Sequence, residues 1–82
     1  MERKMSILAE LKQAMSEDTI KGQLAAQLHD ITEQFNDGIL TDDEYRELVT
    51  EIAEVQAAND LADDEVAQRW VINITTQLLS AI

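Results

Sequence analysis

Apolar residues recur along most of the chain at intervals of three and four, which is the spacing of one face of an α-helix. One segment carries this pattern from Ile7 to Met15 and a second from Ile20 to Phe35. The third and fourth stripes consist of Tyr45, Leu48, Ile52 and Val55, and of Ala67, Trp70, Val71, Ile74, Leu78 and Ala81. The pattern predicts an all-α fold: a small bundle of three to four helices, at approximately residues 3–15, 17–36, 42–58 and 62–81, in one domain of residues 1–82.

The clearest interruption of the helical pattern is the sequence NDGILTDDE, between the second and third segments. Gly38 has the position of a left-handed residue that ends a helix. Thr41 and Glu44 have the spacing of a capping box, in which each side chain caps the other residue's backbone N–H. These residues predict that the bundle is built on an antiparallel helical hairpin with its turn at Asn36–Thr41.

The remaining boundaries are less sharply marked. Ser16 is predicted to cap the second helix, which Gly22 weakens without ending it. The sequence NDLADDE at residues 59–65 resembles the turn but lacks its glycine, so a break there and one continuous helix both remain open. Residues 71–76 are rich in β-branched side chains, yet a helix is preferred to a strand because no other segment resembles a strand partner.

Over roughly residues 24–55, the hairpin resembles the short C-terminal domain family known as SHOCT. Its members show a leucine-spaced helix, a G-[IL]-[LIT]-T-[DE]-[DE]-E-[FY] turn and a second short helix. The matching residues here are Leu28, Ile31, Phe35, Gly38, Ile39, Leu40, Thr41, Asp42, Asp43, Glu44, Tyr45, Leu48 and Ile52. The resemblance implies a two-helix module that is often supposed to mediate oligomerisation, and it implies no catalytic residue.

The chain is strongly acidic, with 17 Asp and Glu against 6 Lys and Arg and a formal net charge of −11. Proteins bind phosphate backbones through clustered Lys and Arg, so this charge predicts no direct binding of nucleic acid. An acidic face runs along the third helix and consists of Glu44, Glu47, Glu51 and Glu54. A solvated flank is the favoured interpretation of this face, and a docking surface for a basic protein is the other.

The final segment, WVINITTQLLSAI, carries no charged side chain, and several of its apolar residues lie off the main stripe. It is shorter than the roughly 20 residues that span a bilayer. Exposed apolar patches usually mark interaction surfaces. We therefore predict that segment 70–82 is buried against a second copy or another protein, with Trp70 and Leu78 at the centre. The predicted interface residues are Trp70, Val71, Ile72, Ile74, Leu78, Leu79 and Ile82. The other interpretation of Trp70 is a core anchor between the third and fourth helices.

Few side chains suggest chemistry, because the chain has no cysteine and only one histidine. His29 and Glu33 lie one helical turn apart, but a metal site would need at least two further ligands. His29 and Asp30 are sequence neighbours and are expected to point apart. Residues 37–42 place apolar side chains where a calcium loop needs ligands. The inventory predicts no catalytic residue, no cofactor and no metal.

Together these patterns predict a non-enzymatic protein-interaction or assembly module that oligomerises or docks through segment 70–82. The alternative is an acidic inhibitor or nucleic-acid mimic that occupies a basic protein surface. We expect an intracellular, cytoplasmic location. Short, acidic, cysteine-free helical proteins of this kind are common among bacteriophage accessory and assembly proteins, so association with a virion belongs to the same expectation.

Overall fold

Helices account for most of the chain in the computed structural model, which describes the backbone of residues 2–81 and the side chains of residues 7–81. No strand occurs within residues 2–81, so the predicted all-α fold is confirmed. A π-helical segment at Ile52–Gln56 joins α3 to α4 without a break. The α-helices are α1 (Glu2–Ala14), α2 (Ile20–Asn36), α3 (Asp42–Glu51), α4 (Ala57–Asp60) and α5 (Glu65–Ser80).

The core is almost entirely aliphatic, and each helix contributes one face to it. Helix α1 packs on α2, α2 packs on α3, and α5 lies against all three. The buried apolar side chains are Ile7, Leu11, Ala14, Leu24, Ala25, Leu28, Tyr45, Val49, Ile52, Ala57, Leu61, Ala67, Val71, Ile74 and Leu78. Burial of these stripes is what holds helices of this length in place, since short isolated helices are only marginally stable in water.

The turn between α2 and α3 has the geometry that its sequence predicts. Gly38 has φ 81°, in the left-handed region. Its N–H donates to the Phe35 carbonyl at 3.1 Å, and the Ile39 N–H donates to the Gln34 carbonyl at 2.9 Å. This pair of bonds is the Schellman motif, which satisfies carbonyls that the end of a helix leaves free. The prediction of a left-handed Gly38 is confirmed.

The capping box at the start of α3 is also confirmed. The Glu44 N–H donates to Thr41 Oγ1 at 3.2 Å, and the Thr41 N–H donates to Glu44 Oε1 at 2.9 Å. A second cap starts α5, where the Ala67 N–H donates to Asp64 Oδ1 at 3.1 Å. Helices α4 and α5 are therefore separate, and residues 71–76 lie within α5 as helix.

The predicted cap at Ser16 is wrong, and α2 begins at Ile20 instead of residue 17. The Ser16 hydroxyl donates to the Gln13 carbonyl at 2.7 Å, so this residue still belongs to the closing turn of α1. Thr19 is the cap of α2, since its side chain accepts from the Gly22 N–H at 3.1 Å. A serine that follows a helix can bond backward as readily as forward, which spacing alone does not resolve.

The π-helical segment changes which residues of the third stripe reach the core. A π turn closes i to i+5 bonds and therefore holds more residues than an α turn. Val55, predicted on the buried stripe, is 50% exposed, whereas Ala57 is completely buried. After Ile52, the residues that face the core are therefore not those that α-helical spacing predicts.

Candidate functional site

Three residues of the predicted interface, Val71, Ile74 and Leu78, are used by the core of the chain itself. Each is at most 5% exposed, on the face of α5 that lies against the other helices. They form the main apolar stripe of α5, which is the face that a helix buries first. Placing Leu78 at the centre of an interface therefore does not fit the fold. Ile82 lies outside the described residues.

Trp70 is partly buried and connects α5 to α1 and α2. Its indole Nε1–H donates to Glu10 Oε2 at 3.0 Å. Lys21 Nζ lies 4.9 Å from the centre of the ring, a cation–π distance. The same ammonium is 3.7 Å from Glu17. Trp70 is thus an intramolecular anchor, between helices other than those the sequence suggested.

Ile72 and Leu79 face an open groove between α5 and the continuous helical segment of residues 42–60. The groove has a volume of about 430 Å³, and Ile72 remains 47% exposed within it. One wall belongs to α5 and the other to residues 50–58. The lining consists of Thr50, Ala53, Glu54, Ala58, Gln68, Ile72, Thr75, Thr76 and Leu79. Glu54 is the only charged residue of the nine.

Two threonines make the α5 wall of the groove less polar than its composition suggests. The Thr75 and Thr76 hydroxyls both donate to the Ile72 carbonyl, at 2.9 and 2.8 Å. A hydroxyl that donates to its own helix backbone no longer offers that hydrogen to a ligand. A partner in the groove therefore meets mainly methyl groups and aliphatic side chains along α5.

The predicted acidic face lies beside this groove. Glu44, Glu47, Glu51 and Glu54 are all exposed, and none forms an ion pair with another described side chain. Glu44 is engaged in the capping box, which leaves Glu47, Glu51 and Glu54 as the acidic bank. These three line a shallow depression on α3 and the π-helical segment that also includes Asp43, Arg46, Thr50 and Val55. Thr50 and Glu54 line the groove as well, so the two surfaces are continuous.

The π-helical segment forms the junction between groove and bank. Ala53 and Glu54 belong to it and line the groove, while Val55 belongs to it and lines the acidic depression. Single π turns are rare and often occur at functional sites. No pattern in the sequence signalled this turn.

A buried polar cluster joins α2 to α3 beneath the hairpin turn. The Tyr45 and Thr32 hydroxyls are 2.8 Å apart and share a hydrogen bond. The rings of Phe35 and Tyr45 stack with centres 4.4 Å apart and an interplanar angle of 11°. Burial raises the pKa of Tyr45, and the hydrogen bond with Thr32 partly offsets this rise. Its position in the core makes the cluster a structural element.

His29, Asp30 and Glu33 come closer together than the sequence predicted. One ligand atom from each lies within 4.8 Å of the others, and His29 Nδ1 is 3.8 Å from Glu33 Oε1. The expectation that His29 and Asp30 point apart is therefore wrong. Asp30 and Glu33 are exposed, and exposed acidic groups on one helix approach each other in this way without a metal. Nothing further connects this cluster to a ligand.

A second apolar depression lies at the end of the bundle where α2 and α5 begin. Ile20 and Val66 are 44% and 81% exposed there. Its rim is more charged than the groove, since it includes Glu17, Asp60, Asp63 and Asp64. It shares no residue with the groove, so Val66 is a matched comparison for Ile72 on the same helix.

Within residues 2–81, no helix combines the length and the apolar character needed to cross a bilayer. No family model, no curated protein and no solved structure matches the chain. The SHOCT resemblance of the hairpin therefore stays a prediction.

Proposed function

We propose that this chain is a non-enzymatic protein-interaction module whose docking surface is the groove between α5 and residues 50–58. The observation that carries the proposal is a nearly uncharged groove on a protein of net charge −11. Ile72 is half exposed in it, and Leu79 is only partly buried. Full burial of a side chain of this size contributes about 1.5–3 kcal/mol relative to exposure, so a partner that covers the groove gains stability.

The shape of the groove supports a helix as the docked element. Its α5 wall runs from Gln68 through Ile72 to Leu79, which corresponds to about 16 Å or three helical turns. The opposite wall carries small residues, Ala53 and Ala58. Small side chains allow helix axes to approach closely, and docking into a groove is a common mode of helix recognition.

The proposed role fits the expected setting of the chain. The composition common among bacteriophage accessory and assembly proteins supports an intracellular or virion-associated module. The chemistry of the groove supports binding over catalysis, because Glu54 is its only acidic or basic side chain. The partner is a second copy or another protein.

Site-specific photo-crosslinking tests this proposal. A photoreactive amino acid replaces Ile72 in one variant and Val66 in the other, and each is expressed where the chain naturally occurs. Both positions are exposed and on α5, but only residue 72 lines the groove. We expect adducts of defined mass from position 72 in clear excess over position 66. Equal yields from the two positions, or no adducts, would contradict the proposal.

The exposed acidic bank supports a second candidate function, an inhibitor or nucleic-acid mimic that occupies a basic protein surface. Capture would then depend on charge alone and would weaken steeply as salt screens it. Ile72→Glu separates the two candidates. It adds negative charge beside the bank, so it leaves charge-driven capture intact but blocks docking of an apolar helix in the groove.

A further inference from the structure

We propose that the occupant of the groove is a cationic amphipathic helix of another protein. Its apolar stripe lies in the groove, and Lys or Arg residues along one flank face the acidic bank. This inference rests on the proposed function and adds the chemical class of the partner. It assigns one partner to both the groove and the acidic bank, although the sequence suggested the apolar segment and the acidic face as alternative docking surfaces.

The position of the acidic bank beside the groove is the first reason to expect a cationic partner. Glu47, Glu51 and Glu54 are spaced by four and three residues, so they follow one side of the helix for about 10 Å. The depression that these residues line shares Thr50 and Glu54 with the groove. A helix that fills the groove therefore exposes one flank to the bank, and basic residues at the same three- and four-residue spacing meet these carboxylates.

The charge on the other side of the groove is the second reason. Beyond the C-terminal half of the α5 wall, the surface continues through Thr76, Gln77 and Ser80, which are uncharged. Nearer the start of α5, the exposed side chains of Arg69 and Glu65 pair at 3.6 Å, so their charges offset each other. The arrangement is therefore one-sided, with unpaired carboxylates along one edge and no net charge along the other. Complementary charge across an interface fixes orientation and register, and close pairs of opposite charge can also add affinity. We infer that the partner helix carries its basic residues on one flank only.

The distribution of basic residues argues against a second copy as the occupant. The described basic side chains are Lys12, Lys21, Arg46 and Arg69, one each on α1, α2, α3 and α5. Arg69 is 3.6 Å from Glu65, and Lys21 is held between Glu17 and Trp70. Among the side chains of residues 7–81, two copies would thus meet without a row of basic groups to match the bank. Each chain has a charge of −11, and like charges brought together cost several kcal/mol.

Helix α1 is the one helix with more basic than acidic residues, three against two. Its apolar face is already buried in its own chain, with Ile7, Leu11 and Ala14 at most 5% exposed. Exchange of α1 between copies would require that face to leave the core. A separate cationic helix fills the groove without that loss.

The inference is tested with three labelled synthetic peptides that differ only on one flank. All carry leucines at i, i+3, i+4 and i+7, and the flank carries lysine, glutamine or glutamate. Fluorescence anisotropy at physiological salt measures their affinity for the whole chain. We expect the lysine peptide to bind at least about tenfold more tightly than the glutamine peptide, with the glutamate peptide weakest.

Two triple variants separate the bank from the overall charge. Glu47→Lys, Glu51→Lys and Glu54→Lys reverse the bank, and Asp30→Lys, Glu33→Lys and Asp63→Lys reverse exposed acids elsewhere. Each triple changes three charges by two units, from −11 to −5. We expect reversal of the bank to remove the preference for the lysine peptide, while the control triple retains it. Circular dichroism verifies that both variants keep their helicity.

Several outcomes would overturn the inference. An equal loss of preference in the two triples means that the peptide senses only net charge. If Ile72→Glu abolishes binding but the lysine and glutamine peptides bind alike, groove docking stands and the cationic class fails. Crosslinks from position 72 that join only copies of this chain have the same meaning. Absence of both peptide binding and crosslinks removes the proposed function as well.

Discussion

At the scale of single residues, Tyr45 shows how a polar group is accommodated in this core. Its ring is buried against Phe35, and its hydroxyl is satisfied by Thr32 from the facing helix. A buried hydroxyl without a partner costs about 1–3 kcal/mol, so the pair fixes the register of α2 against α3. Tyr45 is also the only tyrosine in the chain, which makes its ionisation directly observable.

We predict that the free energy of unfolding falls as the pH rises above the ordinary tyrosine pKa, and that Tyr45 causes part of this fall. Burial raises the pKa of Tyr45 above the ordinary tyrosine value of 10.0 in the folded chain. The unfolded chain therefore loses this proton first as pH rises. The stabilisation is complete below pH 10.0 and is lost as pH rises through the folded pKa. Urea unfolding at a series of pH values, for the native chain and Tyr45→Phe, measures the effect. Equal slopes against pH for both proteins would contradict it.

At the scale of secondary structure, the turn between α2 and α3 could be predicted from local sequence, whereas the start of α2 and the π-helical segment could not. The capping box and the turn glycine depend on residues within a few positions of each other, so the sequence contains the whole interaction. The cap at Thr19 is equally local, since its side chain accepts from the Gly22 N–H, but Ser16 has a similar spacing and bonds backward to Gln13 instead. The π-helical segment has no such local signal in the sequence. A helical wheel therefore placed Val55 inside and did not select Ala57, although the structure has the reverse.

Gly22 illustrates the same limit in a single element. By propensity it is a weak point in α2, and replacement with alanine should stabilise a helix by about 1 kcal/mol. In the fold it is buried where the start of α2 meets the preceding turn. A Cβ there would collide with the Glu17 carbonyl oxygen and lie 3.1 Å from the Ala14 carbonyl oxygen. The glycine permits a close approach between two backbone segments.

We predict that Gly22→Ala destabilises the chain by about 1–3 kcal/mol, because the contact is with backbone and cannot be relieved by a side-chain rotation. Gly38→Ala is the matched control: a Cβ there meets nothing within 4 Å, although φ 81° remains strained. That strain alone costs about 1 kcal/mol. Chemical denaturation of both variants should give the larger loss for Gly22→Ala. If Gly22→Ala instead stabilises the protein, helix propensity outweighs the backbone contact at this position.

At the scale of the whole molecule, the sequence shows that the final segment is apolar, but it does not show which of its residues enter the core and which line the groove. Val71, Ile74 and Leu78 enter the core, Trp70 bonds to α1, and Ile72 and Leu79 line the groove. A sequence shows which residues of a helix are apolar, but not which faces other helices cover. The junction of the groove with the acidic bank depends on the packing of residues 50–58 beside α5, which no spacing within either segment contains.

We predict that salt stabilises this fold. The bundle measures 35 × 23 × 18 Å and carries a formal charge of −11. At about 0.01 M salt the screening length is about 30 Å and repulsion acts across the whole molecule, whereas at about 0.1 M it is about 10 Å. We expect Tm to rise by about 4–8 °C between these conditions, equivalent to about 1 kcal/mol. The triple of Asp30→Lys, Glu33→Lys and Asp63→Lys should show a smaller rise. A Tm that falls with salt would mean that attractive pairs dominate.

The contacts of Trp70 determine what optical spectroscopy can observe in this protein. The only indole in the chain reports the attachment of α1 and α2, through Glu10 and Lys21. By helical periodicity it lies on nearly the opposite side of α5 from Ile72 and Leu79. Its emission is therefore sensitive to loosening of the first helix and insensitive to occupancy of the groove. In a titration followed by intrinsic fluorescence alone, the emission would not change even when a partner binds the groove tightly.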